Sequence, residues 1–591
     1  MKKYILLFVS SLMLVSCLDT IILPDDKTVD EDFWQTKEQV SSMVNSAYAA
    51  MANDNVIARL IVWGDFRTDE LLAPSSNVDN STTTQALNEI AAVNMQTTNM
   101  YGQWAAFYDV INRCNIVLER AEEVMQKDPN YTAGDYQVDR SQMLALRALC
   151  YFYLVRNFRD VPYITQAYMN SSQNMQVAQS APAVVLQHCI DDLQEAVTTA
   201  LDARGYTTSE WRRVGWMTAD GINALLADIY LWRASVLHSQ ADYEQCIAYC
   251  DKVIASKKSQ HVRGRNEVTE KVYPLADAID IYGDLFVSQN AEESIFEIQS
   301  RSNSAVCQYY YKYKSVSGNG GEGWLRATPI FGNTASVYNT TTSLSNATLY
   351  AAGDMRYYAA CYIPSTGEES YSVRKMISEN AVATKNVTST RETYNYGGLN
   401  RNFNIYRLPD VMLMKAEALV QQVDTTTTDS AQAVYLKDAF SLIQAVNSRA
   451  LHQDNVADSM RWNGTTNLTR FRLLNKDQFE QLVLQERLRE FCFEGRRWYD
   501  LMRYNYRHVN GVDYNRTLAE ISDGGGALVA NFSDMLALMT RNRGTEASGV
   551  QAKMTNEGYL YMPIPNSDII VCPLLRQNPV YKDTNEYQKT Y

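Results

Sequence analysis

The chain has 591 residues, 46% of them hydrophobic and 20% charged, enough to bury a large core and far from the composition of a disordered chain. Its formal net charge is −13, and no basic stripe interrupts the acidic balance, which argues against a nucleic-acid partner because phosphate recognition needs concentrated Lys and Arg. No Pro/Gly/Ser-rich linker or block of like charge divides the sequence, so one large body is expected.

Met1, Lys2 and Lys3 precede the apolar run Tyr4–Ser16 and then Cys17, the pattern of an export leader. The run is well short of the ~20 residues that span a bilayer. Leu14-Val15-Ser16-Cys17 resembles a bacterial lipobox, in which the cysteine is acylated and becomes the first residue of the mature chain. Residues 1–16 are therefore read as a lipoprotein signal peptide and Cys17 as the lipidation site, with several acyl chains giving stable anchoring. The other cysteines are scattered through apolar surroundings without a C-x-x-C pair and read as buried small side chains. Cys246 and Cys250 share a helix face but lack further ligands, so no metal site is expected there.

Helical spacing of apolar residues predicts helices over Thr36–Ala52, Tyr101–Lys127, Asp139–Asn157, Ala183–Leu201, Thr218–Leu237 and Asp242–Ser256. They pair as helix-turn-helix units, and residues 218–256 resemble a degenerate tetratricopeptide repeat, so residues 30–256 are read as a helical scaffold. Residues 257–406 change texture to Tyr, Asn, Ser, Thr and Gly with short apolar runs. Such loops on a rigid scaffold are where recognition sits. Helical pattern resumes at Ile405–Gln421, Leu436–Arg449 and Lys476–Tyr504, and from Gly558 the chain reads as extended and proline-punctuated.

Glu486, Glu490 and Glu494 are spaced to stack on one helical face, with Arg487, Arg489, Arg496 and Arg497 as neighbours. Those arginines would hold the carboxylates ionised, the opposite of what a general acid needs, so the cluster is assigned to folding. G-x-S-x-G, H-E-x-x-H and Walker A patterns are missing, and the five histidines are isolated from one another. No enzyme activity, cofactor or metal is expected, and a structural Ca²⁺ is not predicted.

Three segments carry a resemblance to the SusD/RagB family that extends over essentially the whole mature chain. They are Leu408–Val420 (LPDVMLMKAEALV), Gln485–Arg503 (QERLREFCFEGRRWYDLMR) and Tyr559–Tyr581 (YLYMPIPNSDIIVCPLLRQNPVY). Cys572 and Val580 depart from the family's usual Asn and Gly. The resemblance implies a mainly α, SusD-like fold over residues 17–591, with tetratricopeptide-like helix pairs as scaffold, a loop-rich, partly irregular binding part at 257–406 and a family-signature part at 407–591. It also implies non-catalytic capture of an oligosaccharide or polysaccharide at the cell surface, by a protein lipid-anchored to the outer membrane, and delivery to a SusC-like TonB-dependent transporter. Peptide or glycopeptide binding, a lid without ligand contact and, last, a glycoside hydrolase are the alternatives.

The 39 tyrosines against 16 phenylalanines suit sugar recognition, because an aromatic ring stacks on the C–H face of a pyranose while the hydroxyl serves its polar rim. Most of these tyrosines are expected to pack. Gln308–Lys314 (QYYYKYK), followed by a Gly-rich loop and Trp324, fits neither period, so Tyr309, Tyr310, Tyr311, Tyr313 and Trp324 are nominated as exposed stacking residues. This stretch lies upstream of a D-x-R motif, Asp354-Met355-Arg356. Trp63, in Trp63–Arg67 beside the polar loop Ser75–Asn99, is a further candidate, with core packing the stronger expectation for it.

Overall fold

The computed structural model describes residues 33–72, 82–170, 172–207, 210–260, 273–276, 283–300, 305–310, 324–331, 349–350, 354, 356, 360, 373, 375–376, 400–424, 430–450, 475–530 and 547–581. Cys17, Tyr311 and Tyr313 lie outside them. In chain order the helices begin with α1 (Lys37–Met51), α2 (Asp54–Ile61), α3 (Thr82–Ala91), α4 (Ala105–Val124), α5 (Ala133–Phe158), α6 (Pro182–Ala196), α7 (Arg212–Gly215), α8 (Ala219–Leu237) and α9 (Gln240–Gln260). They continue with α10 (Ala305–Tyr310), α11 (Leu408–Gln421), α12 (Ser430–Arg449), α13 (Lys476–Phe491), α14 (Arg497–Arg507), α15 (Leu518–Asp523), α16 (Ala547–Lys553) and α17 (Asn566–Val571). The strands are β1 (Leu71–Leu72), β2 (Val161–Pro162), β3 (Gln179–Ser180), β4 (Ser294–Ile298), β5 (Arg326–Ala327) and β6 (Phe403–Arg407), paired antiparallel as β1–β5, β2–β3 and β4–β6. Among the described residues no helix is long and apolar enough to cross a membrane.

The mainly helical fold is the expected one, and the helices stack in a row. α1 packs on α4, α4 on α5, α5 on α6, and α8 on α9, so each pair covers the apolar face of the next. α9 then packs on α11, and α11 on α12 and α13, although more than a hundred residues separate α9 from α11. The loop-rich middle is thus an excursion between consecutive members of one stack. It returns through β4–β6, whose residues are all buried, and through the Leu408 amide donating to the Glu293 carbonyl at 2.8 Å.

Several boundaries differ from the sequence reading, among them the ends of α4, α6 and α12 and the helix α17 where the chain reads as extended, and three bear on the packing. α5 starts at Ala133, six residues before the periodic pattern, because Thr132 and Asp135 close a capping box at its N-terminus. Ile405–Arg407 is strand, not helix. The single helix expected over Lys476–Tyr504 is broken between α13 and α14 by Phe493 (φ 65°) and Gly495 (φ 74°). At that break the backbone of Gly495 lies against Gly64, where a Cβ would come within 2.1 Å of the Gly495 carbonyl oxygen. Two glycines permit this approach, and it lets the buried Asp65 carboxylate accept the Gly495 amide at 2.6 Å and the Arg496 amide at 2.9 Å, capping α14 from outside its own segment.

The carboxylates of the second signature segment are buried and ionised, but their partners are mostly remote. Of the four arginines expected beside the glutamates, only Arg489 pairs with one of them, Glu486. Arg487 serves Asp410 and Asp500, Arg496 serves Asp410, and Arg497 grips Asp69 through two bonds of 2.9 Å. Glu490 meets Arg356, Arg407 and Arg449, while Glu494 meets Arg407 and Lys375. Burial pushes the Glu490 carboxyl up, but Arg449, Arg407 and Arg356 outweigh it and hold it well below the usual range. Glu494 is brought down to about 2 as Arg407 and Lys375 overcome the same burial. Glu494 itself sits in the turn after α13, so the three carboxylates converge without sharing one helix. Among the described residues no group of His, Cys, Asp and Glu is arranged to hold a metal ion.

Two measurements test this account. Glu490→Gln removes a carboxylate shared by three buried arginines and leaves one positive charge uncompensated among them, so it is expected to destabilise the protein by about 3–5 kcal/mol; a loss below about 1 kcal/mol in urea unfolding would contradict the network's role. Glu486, Glu490 and Glu494 lie below their unfolded value of about 4.3, so their contribution is present above that pH and is lost as pH falls through the folded values. Asp65, Asp139 and Asp160 run the other way: burial raises them to about 7, 6 and 6, so stability withheld at neutral pH returns as pH falls. The melting temperature is therefore expected to rise from about pH 7 to about pH 5 and to drop below about pH 4. A steady decline from pH 7 downward would show that the raised group does not matter.

Candidate functional site

The two places singled out in the sequence are brought to one seam by β1–β5. Leu71 pairs with Ala327 and Leu72 with Arg326, so the chain leaving β1 toward the polar loop before α3 departs beside the chain that enters β5 from the tyrosine-rich stretch. The seam is locked by Thr328, whose amide donates to the Glu70 carbonyl at 2.8 Å and whose hydroxyl donates to the Asp69 carbonyl at 2.7 Å. Behind it the Glu70 carboxylate accepts the Phe493 amide at 3.0 Å. The root of the seam is thus fixed to the α13–α14 turn.

The nominated aromatics separate into different roles. Trp63 is fully buried, stacked on Phe107 with centroids 5.0 Å apart and edge-on to Phe158 at 5.6 Å, with its indole N–H donated to the Tyr101 carbonyl at 2.8 Å. It offers no face to a ligand. Tyr310 is also fully buried, edge-on to Phe493 at 6.2 Å. Tyr309 is 9% exposed, and its hydroxyl shares a 2.7 Å hydrogen bond with that of Tyr101. The expectation that Tyr309 and Tyr310 lie exposed is therefore corrected, since both pack against aromatic neighbours inside the protein, while Trp63 takes the core position that was the stronger expectation for it.

Trp324 is neither core nor open surface. It is half-buried, packed at the margin of the core, and its amide and that of Leu325 both donate to the Tyr309 carbonyl, at 3.2 and 3.1 Å. Backbone bonds thus tie Trp324 to Tyr309, whose hydroxyl meets that of Tyr101. Arg59, beneath them, donates to the carbonyls of Asn55, Met100 and Gln103, and burial holds its guanidinium below the usual range. Met100, 40% exposed, accepts from Arg59 through its carbonyl and follows Asn99, which caps the turn and ties it to α3 through Ala86 and Glu89. Rings, a thioether and backbone-bound polar groups make a surface suited to holding a ligand by stacking and hydrogen bonds. The sequence missed Tyr101 and Met100; Tyr101 stood at the start of a predicted helix, where an aromatic reads as core.

The comparisons with known proteins agree with this architecture. Residues 289–581 match the family model described as "SusD family", and residues 22–231 match one described as "Starch-binding associating with outer membrane". Together the two matches take in most of the chain. It is 25% identical over 551 residues to SusD-like protein P38 of Formosa agariphila, covering 88% of this chain and 96% of that protein, and 23% identical to a SusD-like protein of Bacteroides ovatus over 99% of both. Among solved structures, a SusD homolog from Bacteroides thetaiotaomicron superposes with a TM-score of 0.64 at 19% identity, covering 93% of this chain and 99% of that one. Bacteroides fragilis NanU superposes with a TM-score of 0.57 at 16% identity, covering 94% and 99%. Family models on both halves of the sequence, full-length relatives and a shared fold place the chain in the SusD family.

Proposed function

We propose that the protein captures an oligosaccharide or polysaccharide at the cell surface without chemical change and passes it to a SusC-like TonB-dependent outer-membrane transporter. In this reading residues 1–16 are removed, Cys17 carries the lipid, and residues 17–591 form one glycan-binding domain anchored to the outer membrane and facing outward. The observation that carries the reading is the β1–β5 seam, which joins two polar, aromatic-bearing stretches around Trp324 on a rigid helical stack. The signature carboxylates support a binding role over hydrolysis, since cations hold Glu486, Glu490 and Glu494 ionised within the core, where none serves as a general acid. The family model's starch-binding, outer-membrane description agrees with it.

The soluble form lacking residues 1–17 is expected to be retarded in gels containing one class of plant, host or microbial polysaccharide. Trp324→Ala should weaken retardation about tenfold, on the order of the ~1.4 kcal/mol that a stacked ring supplies. Retardation by no glycan would leave the peptide or lid reading in its place. Cys17→Ser in the full chain should abolish incorporation of labelled fatty acid and move the protein from the membrane pellet to the soluble fraction; undiminished labelling would place the lipid elsewhere.

A further inference from the structure

A second aromatic surface lies away from the seam, in the linker between α6 and α8. Leu201 bridges to Thr218 and the Ala219 amide donates to the Leu201 carbonyl at 2.8 Å, which closes the linker into a compact lobe. Its base is fixed by buried Val214 and Met217 and by Arg213, whose guanidinium donates to the carbonyls of Asn290 and Ala291 at 2.8 Å each. On this base stand three rings. Trp211 is 41% exposed; its ring centroid is 5.8 Å from that of Trp216 at an interplanar angle of 77°, and Tyr206 lies edge-on to Trp216 at 6.3 Å. Gly215 gives the Trp211 indole room to lie against the helix turn, since a Cβ there would come within 2.7 Å of it.

We propose that Tyr206, Trp211 and Trp216 form a second carbohydrate platform, one that takes a neutral pyranose-based glycan chain. The Arg212 guanidinium lies 5.4 Å from the Trp211 ring and 5.3 Å from that of Trp216, and it pairs with Glu210 at 3.1 Å. A nearby Arg204–Asp202 pair, at 2.6 Å, is likewise neutralised. The rim therefore offers hydrogen-bond donors and acceptors to hydroxyls without a net charge to select an anionic sugar, while the indole face stacks on ring C–H groups. A large aromatic left exposed on a polar linker marks a contact surface. Three rings ringed by polar side chains are too few for a stable protein interface, which needs roughly 800 Å² per partner, but they match one or two sugar rings.

The platform lies toward the opposite end of α5 from the seam. Ser141 and Gln137, near the start of α5, contact Ala196 and Thr199 just before the linker, whereas Phe158 at its end packs under Trp63, which holds the Tyr101 carbonyl. The two surfaces are therefore built on different elements of the stack. A chain long enough to touch both gains avidity that neither has alone.

The occupant named here rests on the glycan-capture reading, and the test separates the two. Wild-type soluble protein, Trp211→Ala, Trp211→Phe, Trp324→Ala and the Trp211→Ala/Trp324→Ala double variant are compared in gels containing each polysaccharide that retards the wild type, with melting temperatures as the control for folding. Trp211→Ala is expected to weaken retardation several-fold at unchanged melting temperature, Trp211→Phe to restore most of it, and the double variant to lose it. Wild-type retardation by Trp211→Ala, with loss in Trp324→Ala, overturns the platform and leaves the capture reading standing. Retardation of no variant and no wild type overturns both.

Discussion

The structure depends on one buried exchange of charge. Glu490 faces Arg356, Arg407 and Arg449; Arg407 also reaches Glu293 and Glu494; Lys375 closes on Glu494. These side chains come from the loop-rich middle, from β6, from α12 and from α13 with its following turn. Desolvating so many ions returns little net stability compared with an apolar core of the same volume. What it supplies is uniqueness: any other docking of the middle segment strands a charge in a low-dielectric interior, a far larger penalty than a misplaced methyl group. The Asp354–Arg356 element matters for that reason, since Arg356 is held by Asp354 on one side and donates to Glu486 and Glu490 on the other.

From this exchange the constraint passes to the binding seam through a short chain of contacts. Glu490 and Glu494 fix the end of α13, and the turn that follows presents the amides of Phe493, Gly495 and Arg496 to Glu70 and Asp65. Arg497 grips Asp69. Leu71 and Leu72 of β1 come next in sequence. The first residues of the seam are therefore bolted to the family-signature segment.

Much of the scaffold was legible because helical period and small-residue spacing report a stack directly. Thr218–Leu237 differs from α8 by its first residue alone, Asp242–Ser256 falls inside α9, and Thr36–Ala52 differs from α1 by one residue at each end. What failed was every feature decided by a remote partner. The α13–α14 break has no local signal at Phe493, whose positive φ is imposed by the approach of Gly64 to Gly495. Arg487, Arg496 and Arg497 had plausible glutamates at helical spacing, yet each found an aspartate elsewhere. Tyr309 and Tyr310 broke both periodicities and so read as exposed, but a single turn of helix, α10, with Tyr101 and Phe493 waiting, buried them. The Trp211 platform went unremarked for the opposite reason: α7 is too short to carry a periodic signal. The available clue was two tryptophans and a tyrosine within eleven residues of a polar linker between two strong helical patterns.

Weak contacts spread over a rigid body suit the proposed capture, which requires release of what is caught. A deep apolar pocket would hold a sugar through buried area and would have to be dismantled for transfer, whereas a ring at the surface gives up its partner without moving the core. Trp324 rests on Tyr309 through backbone bonds, and Trp211 rests on a lobe held by Arg213. Both rings are exposed on one side and firmly seated on the other, so binding orders few side chains and little of the interaction is lost to conformational entropy.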